Sequence, residues 1–292
     1  MVKKYGELYL DARKTLRETE GDNAAVCARE LLSLASGKSV AALLADRELY
    51  ASEAIEARLN EYLARMLRGE PLAYILGRWS FYGMELIVTQ DVLIPRDDTM
   101  AVTDLAIDTL RTLGQPARVL DLCTGSGCIG LAIAHHLDRC NVTLCDVSPR
   151  ALAVAKQNIA ALRLKSRVTA FEADVTKPAS RFLGQFDLIV ANPPYVTRAE
   201  MLQLQPSVRE FEPHLALDGG EDGLDFYRAI VDNFSCALKE GGFLCLEFGF
   251  GQYMAVGMLL ESSGYTDIRF RKDARGVIRA VVAQKLINKT NV

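Results

Sequence analysis

Before Gly69 the apolar positions recur at helical spacing. The clearest run is Ser52 to Arg68, where Ile55, Leu59, Tyr62, Leu63, Met66 and Leu67 return every three or four positions and share one helix face. Ser52 stands where an N-cap belongs, and Gly69 with Pro71 ends the run. Upstream, Leu8, Ala12 and Leu16, then Ala25, Ala28, Leu31 and Leu32, mark shorter amphipathic helices separated by polar turns at Glu20 to Asn23 and Gly37 to Ser39. The pattern predicts a small helical bundle. Between Trp79 and Pro95 the period shortens to that of strands, with Phe81-Tyr82-Gly83, Leu86-Ile87-Val88 and Val92-Leu93-Ile94-Pro95, which predicts a β-hairpin linker.

From Thr99 onward helical stretches alternate with short apolar runs: Arg118 to Asp121, Asn141 to Asp146, Arg167 to Ala170, Phe186 to Val190 and Gly242 to Glu247. Such alternation predicts an α/β fold, a doubly wound (Rossmann-like) parallel sheet with helices on both faces. Two β-rich runs, Thr266 to Arg271 and Val277 to Gln284, are expected to pair antiparallel at the end of that sheet. The expected organisation is a helical domain over residues 1–78, a hairpin linker over 79–95 and an α/β domain over 96–292.

Composition narrows the function classes. A length of 292 residues, 50% hydrophobic and 24% charged, suits about two globular domains with sizeable cores. The formal net charge of −3 supplies no global basic field, so extended nonspecific binding to nucleic acid is disfavoured. No apolar run reaches membrane length, and the start, with Lys3, Lys4, Glu7 and Asp11, lacks the apolar core of a secretory signal. Seven cysteines, odd in number and never spaced C-x-x-C, read as the buried thiols of a reducing cytoplasm. The histidines, His135, His136 and His214, lack the spacing of a metal site, so no metal centre is expected.

Two motifs carry the chemistry. Asp121-Leu122-Cys123-Thr124-Gly125-Ser126-Gly127-Cys128-Ile129-Gly130 follows the first strand and enters an apolar helix, and its glycines let backbone approach a ligand closely. Gly125, Gly127 and Gly130 satisfy G-x-G-x-x-G and Asp146 ends the next strand, so this segment alone also permits a nicotinamide cofactor. The wider set of acids tilts the choice. Asp121 precedes the loop, Asp146 at the end of strand two can accept from both ribose hydroxyls, and Asp174 after strand three can accept from an adenine amino group. That set resembles the S-adenosyl-L-methionine site of class I methyltransferases. Ser148 and Pro149 stand as N-cap and first residue of the following helix.

The second motif, Asn192-Pro193-Pro194-Tyr195, places a rigid polar and aromatic step at the exit of a buried strand, on the edge that carries the glycine loop. It suits methylation of a planar nitrogen, whose delocalised lone pair must be turned toward the methyl donor. The Asn192 side-chain oxygen and the Pro193 carbonyl can hold two N–H hydrogens while Tyr195 packs on the planar group. A sulfonium donor needs neither a general base nor a metal.

With these motifs the chain resembles the HemK or PrmC family, the protein-(glutamine-N5) methyltransferases of peptide chain release factors. The matching stretches are Gly69 to Gly77, Val92 to Arg96, Asp121 to Gly130, Asn192 to Tyr195 and Phe211 to Leu224. The resemblance implies that the helical domain docks substrate and that Cys123, Thr124, Gly125, Ser126, Gly127 and Asp146 line S-adenosyl-L-methionine. It further implies that Asp174 and Val175 border the adenine, and that Asn192, Pro193, Pro194 and Tyr195 hold the glutamine of a Gly-Gly-Gln loop, with Asn192 also touching the cofactor. After Arg96 the family usually continues Pro-Glu-Thr-Glu, whereas this chain has Asp97-Asp98-Thr99-Met100. The chief alternative is an N6-adenine or rRNA methyltransferase, because a flipped adenine offers the same motif a conjugated amine. A noncatalytic binding module on a decayed methyltransferase fold is a second alternative, opposed by the intact glycine loop and Asn192.

Overall fold

The computed structural model describes residues 2–114 and 116–287. They divide into two compact units. The first runs to Arg78 and contains α1 (Tyr5–Glu20), α2 (Ala24–Ser36), α3 (Val40–Ala45), α4 (Glu53–Leu67) and α5 (Leu72–Leu76). Its core is the set read from helical spacing, with Leu8, Ala12 and Leu16 from α1, Ala28, Leu31 and Leu32 from α2, and Leu59, Leu63 and Met66 from α4. Ser52 takes the N-cap position of α4 with extended backbone, but its side chain makes no capping bond. Glu53 and Glu56 in the first turn offset the positive end of the helix instead. A short helix far along the chain, Pro206–Phe211, also belongs to this unit.

The second unit starts in the hairpin β1 (Arg78–Phe81) and β2 (Met84–Ile87). Tyr82 and Gly83 form its two-residue turn, with φ of 50° and 78°, the left-handed pair that matches the twist of adjoining strands. A 3-10 turn, Asp97–Thr99, leads into α6 (Met100–Leu113). The sheet follows as β3 (Ala117–Leu122), β4 (Cys140–Asp146), β5 (Val168–Glu172), β6 (Phe186–Ala191), β7 (Leu238–Glu247), β8 (Tyr265–Lys272) and β9 (Ile278–Lys285), in the spatial order β5-β4-β3-β6-β7-β9-β8. Strands β3 to β7 are parallel, and β9 lies antiparallel between β7 and β8.

Both faces of the sheet are covered, as a parallel sheet requires. Val119, Leu188 and Val190 pack on one side with Leu131 and Ile133 of α7 (Cys128–His136), while Leu120, Leu122 and Ile189 pack on the other with Tyr227, Ile230 and Phe234. The strand order reverses at β3, which has β4 on one flank and β6 on the other. In register, Leu122 lies opposite both Cys145 and Ala191, so Cys123, Asp146 and Asn192 leave the same edge of three adjacent strands. A crevice at such a reversal is where open α/β sheets bind ligands. All seven cysteines are free; Cys27, Cys140, Cys145 and Cys245 are buried and Cys236 is exposed. No helix of the described residues is long and apolar enough to cross a membrane.

Candidate active site

The turn after β3 is built around one buried carboxylate. Asp121 is fully buried, and its Oδ2 accepts from Thr124 Oγ1 at 2.6 Å and from the Gly130 amide at 2.9 Å. The two bonds draw the start of α7 back toward β3. Burial pushes this carboxyl up to about 7, against the pull of those donors. Within the turn Cys123, Gly125 and Gly127 all have positive φ, at 54°, 54° and 87°. Cys123 is the exception that carries a side chain there. Gly130 has ordinary backbone, but a Cβ on it would lie 2.4 Å from Leu144 Cδ2 and 2.9 Å from Asp121 Oδ2.

Asp146 closes the turn from β4. Its Oδ2 accepts from the Gly125 amide at 2.8 Å and its Oδ1 from the Ser148 amide at 2.9 Å. Each carboxylate oxygen has a second lone pair, so one group can order the loop and still receive hydroxyl donors. Burial raises its pKa and the backbone donors oppose the rise. Ser148 caps α8 (Pro149–Ala161) by accepting from the Ala151 amide at 3.2 Å, with Pro149 as first residue. Asp174 is half-buried; its Oδ1 accepts from the Thr176 amide and hydroxyl at 2.9 and 2.6 Å, and those bonds hold its carboxyl below the ordinary value.

At the exit of β6, Asn192 Nδ2 donates to Thr99 Oγ1 at 3.3 Å. Pro193 and Pro194 are buried. Tyr195 packs against the sheet face that carries Leu120 and Ile189, its carbonyl accepts from Gln252 Nε2 at 3.1 Å, and burial drives its hydroxyl pKa upward. Gly219 supports the motif from below: a Cβ there would stand 2.6 Å from Tyr195 Cα and 2.9 Å from the Pro194 carbonyl oxygen.

One cleft of about 950 Å³, counting space open to solvent, joins these parts. Its lining contains Cys123, Thr124, Gly125, Ser126, Asp146, Asp174, Val175, Asn192 and Pro194 from the sequence-based set, but not Gly127, Pro193 or Tyr195. Gly127 sits behind the loop, where its missing side chain admits Leu131 and Leu144. Asp121 likewise stands behind the wall as its brace. Val92, Leu93, Pro95, Pro213 and Leu215 supply apolar wall.

Sequence reasoning missed three supports. Asn158 of α8, fully buried, donates to the Ser126 carbonyl at 2.9 Å and exchanges two bonds with the Ile87 backbone at 2.7 and 3.0 Å, tying the glycine loop to β2. Its signal was an asparagine on the apolar face of an amphipathic helix. Glu212, also buried, accepts from the Ile94 amide at 3.2 Å and pairs with Arg96, so two of the matching stretches are one structure. Gln252 bonds the Tyr195 and Gly223 carbonyls.

The family model described as PrmC N-terminal domain matches residues 7–77, and that described as Methyltransferase small domain matches residues 96–219. A "Release factor glutamine methyltransferase" of Geobacter sulfurreducens is 41% identical over 271 residues, covering 92% of each chain. One of Bradyrhizobium diazoefficiens is 38% identical, covering 96% of each. The chain belongs to the release factor glutamine methyltransferase family. Its fold is shared more widely: a methyltransferase structure from Pyrococcus furiosus superposes with a TM-score of 0.52 at 18% identity, over 78% of this chain and 100% of that one. Within the family, the Asp97 to Met100 departure has a structural account. Met100 packs on the sheet face that carries Val119 and Leu188, and Asp98 pairs with Arg275 at 2.6 Å and Arg279 at 3.1 Å.

Proposed function

We propose that this chain transfers the methyl group of S-adenosyl-L-methionine to the side-chain amide nitrogen of the glutamine in the Gly-Gly-Gln loop of a peptide chain release factor. The observation that carries the reading is a single cleft holding both a ribose-type carboxylate, Asp146, and a planar-amide acceptor, Asn192. The residues fit the cofactor. Asp146 keeps lone pairs for two hydroxyls, Asp174 and Val175 border one flank of the cleft, where an adenine would lie, and Cys123 to Ser126 bring backbone to the wall. Bound there, the cofactor supplies an electrophilic sulfonium methyl. Asn192 Oδ1 and the Pro193 carbonyl accept the two N–H hydrogens of the substrate amide, turn its lone pair out of conjugation and aim it at the methyl. The buried prolines fix the backbone that presents these acceptors.

The helical domain, residues 1–78, is the docking element in this reading, followed by the hairpin linker 79–95 and the catalytic domain 96–292. One glutamine side chain offers too little surface to be selected among all cellular glutamines, so a second contact area is required. Leu10, Leu44, Leu49 and Tyr50 of the helical unit are exposed and apolar enough to supply one.

The test is mass spectrometry of a purified release factor after incubation with the enzyme and isotopically labelled cofactor. The expected result is one labelled methyl on the glutamine of Gly-Gly-Gln, with Asn192→Ala losing on the order of a hundredfold in rate while binding the cofactor. Label on protein-free ribosomal RNA and none on the release factor overturns the substrate assignment.

A further inference from the structure

We infer that Glu247, acting with Thr99, is a positioning residue that fixes which end of the Asn192 amide faces the reacting nitrogen. The inference rests on the proposed glutamine methylation and deepens it.

An asparagine amide is nearly the same shape either way round, but its ends are opposite in chemistry. With Oδ1 toward the substrate, Asn192 accepts a hydrogen from the amide to be methylated. Turned half a revolution, it presents an N–H against an N–H. Nothing in the Asn-Pro-Pro-Tyr motif selects the first orientation. The selection comes from behind.

Asn192 Nδ2 donates to Thr99 Oγ1. Glu247 is the last residue of β7, one position past the Ala191↔Leu246 pair, which puts it beside Asn192. It is 1% exposed, and the Thr99 and Asn192 side chains act on its carboxyl against the upward push of burial. The resulting chain runs from the Asn192 amide N–H to the Thr99 oxygen and from the Thr99 hydroxyl to Glu247. Beside an ionised Glu247, a flipped Asn192 would set its oxygen near the carboxylate and make the two acceptors compete for the single Thr99 hydroxyl hydrogen. Burial pushes the Glu247 carboxyl up to about 8 and the Thr99 and Asn192 side chains oppose the rise; it is the ionised form, which only accepts, that selects the orientation, whereas a protonated carboxyl or a Gln can also donate. The other Glu247 oxygen, Oε2, is buried without a partner.

The turn that carries Thr99 is itself held. Asp98 is bridged by Arg275 and Arg279, Arg279 also pairs with Asp273 at 3.2 Å, and the Phe248 amide, next to Glu247, donates to the Arg279 carbonyl at 3.0 Å. The β8–β9 hairpin thus keeps Thr99 and Glu247 at a constant spacing.

The experiment compares Glu247→Gln, Thr99→Val and Thr99→Ser with wild type, on intact release factor with S-adenosylmethionine, together with calorimetric cofactor affinity and Tm. The expected result is a kcat lower by roughly 10- to 100-fold in Glu247→Gln and Thr99→Val, with the KM for release factor and the cofactor Kd within about twofold of wild type. Thr99→Ser, which keeps the hydroxyl, is expected to retain most of kcat. The Glu247→Gln/Thr99→Val double variant is expected to lose no more than the worse single, because both act through one chain of bonds. Wild-type kcat in a folded Glu247→Gln protein overturns the inference, as does Thr99→Ser failing as badly as Thr99→Val. A wild-type protein that methylates no release factor overturns the functional reading and this inference together, whereas an active wild type with an equally active Glu247→Gln overturns this inference alone.

Discussion

Gly130→Ala is the sharpest test of how the glycine loop is held, because two opposing effects act at one atom. Gly130 lies in the first turn of α7, and alanine there gains about 1 kcal/mol of helix propensity. Against this, the new methyl lies 2.4 Å from Leu144 Cδ2, 2.9 Å from Asp121 Oδ2 and 3.0 Å from Val142 Cγ1. Leu144 and Val142 sit in β4, flanked by β5 and β3, and are buried, so neither can swing into solvent. Overpacking of this kind costs about 1 to 3 kcal/mol. Moving Asp121 Oδ2 aside also weakens the 2.9 Å bond from the Gly130 amide, and a hydrogen bond to a charged group is worth about 1.5 to 3 kcal/mol. The net loss is about 1.5 to 5 kcal/mol. Urea unfolding followed by circular dichroism gives the change in stability, and calorimetry gives the accompanying loss of cofactor affinity. A Gly130→Ala protein as stable as wild type would refute the packing argument, since helix propensity would then have decided the outcome.

Asp146→Ala is expected to weaken S-adenosylmethionine binding by about 1 to 3 kcal/mol, roughly 5- to 150-fold in Kd, because the Gly125 and Ser148 amides lose their acceptor as well as the ribose; unchanged affinity by calorimetry in a folded variant refutes it. The buried carboxyls give a pH signature. Asp121 and Glu247 are raised by burial to about 7 and about 8 from ordinary values of 3.8 and 4.5, so the folded state holds protons that the unfolded chain has released. Their effect on stability is therefore most favourable below about pH 4 and declines through the window between the unfolded and folded values, by about 1.4 kcal/mol per pH unit for each group. Glu247→Gln should gain on wild type in urea titrations as pH rises from 5.5 to 7.5, by up to about 3 kcal/mol, and parallel profiles would refute the burial argument.

Much of the architecture was legible because it follows local periodicity. The alternating apolar runs became β3 to β7, the two late runs became the antiparallel β8 and β9, and Ser148-Pro149 became a working cap. The glycine loop and Asn192 were legible for a different reason: their residue types are costly anywhere but at a turn or a strand exit. What stayed hidden depends on partners far away in sequence. Asn158 meets Ile87, Glu212 meets Arg96 and Ile94, and Gln252 meets Tyr195, each a single polar side chain whose role no local pattern encodes. The attachment of Pro206–Phe211 to the helical unit was hidden likewise. Ser52 shows the converse, a cap signal in sequence that the folded side chain does not use.

The place of β9 between β7 and β8 bears on how the protein is made. Every residue lining the cleft lies between Asp91 and Phe226, so all of them leave the ribosome before Ile278–Lys285 does. Until β9 arrives, β7 presents its backbone and the buried residues Phe243 to Leu246 as an open sheet edge, the template on which chains pair wrongly with one another. Arg279, which steadies Asp98 and therefore Thr99, arrives with the same strand. Closing the edge and seating the Thr99 turn are one late event in biogenesis, and a nascent chain halted before it would carry a formed glycine loop beside an aggregation-prone flank.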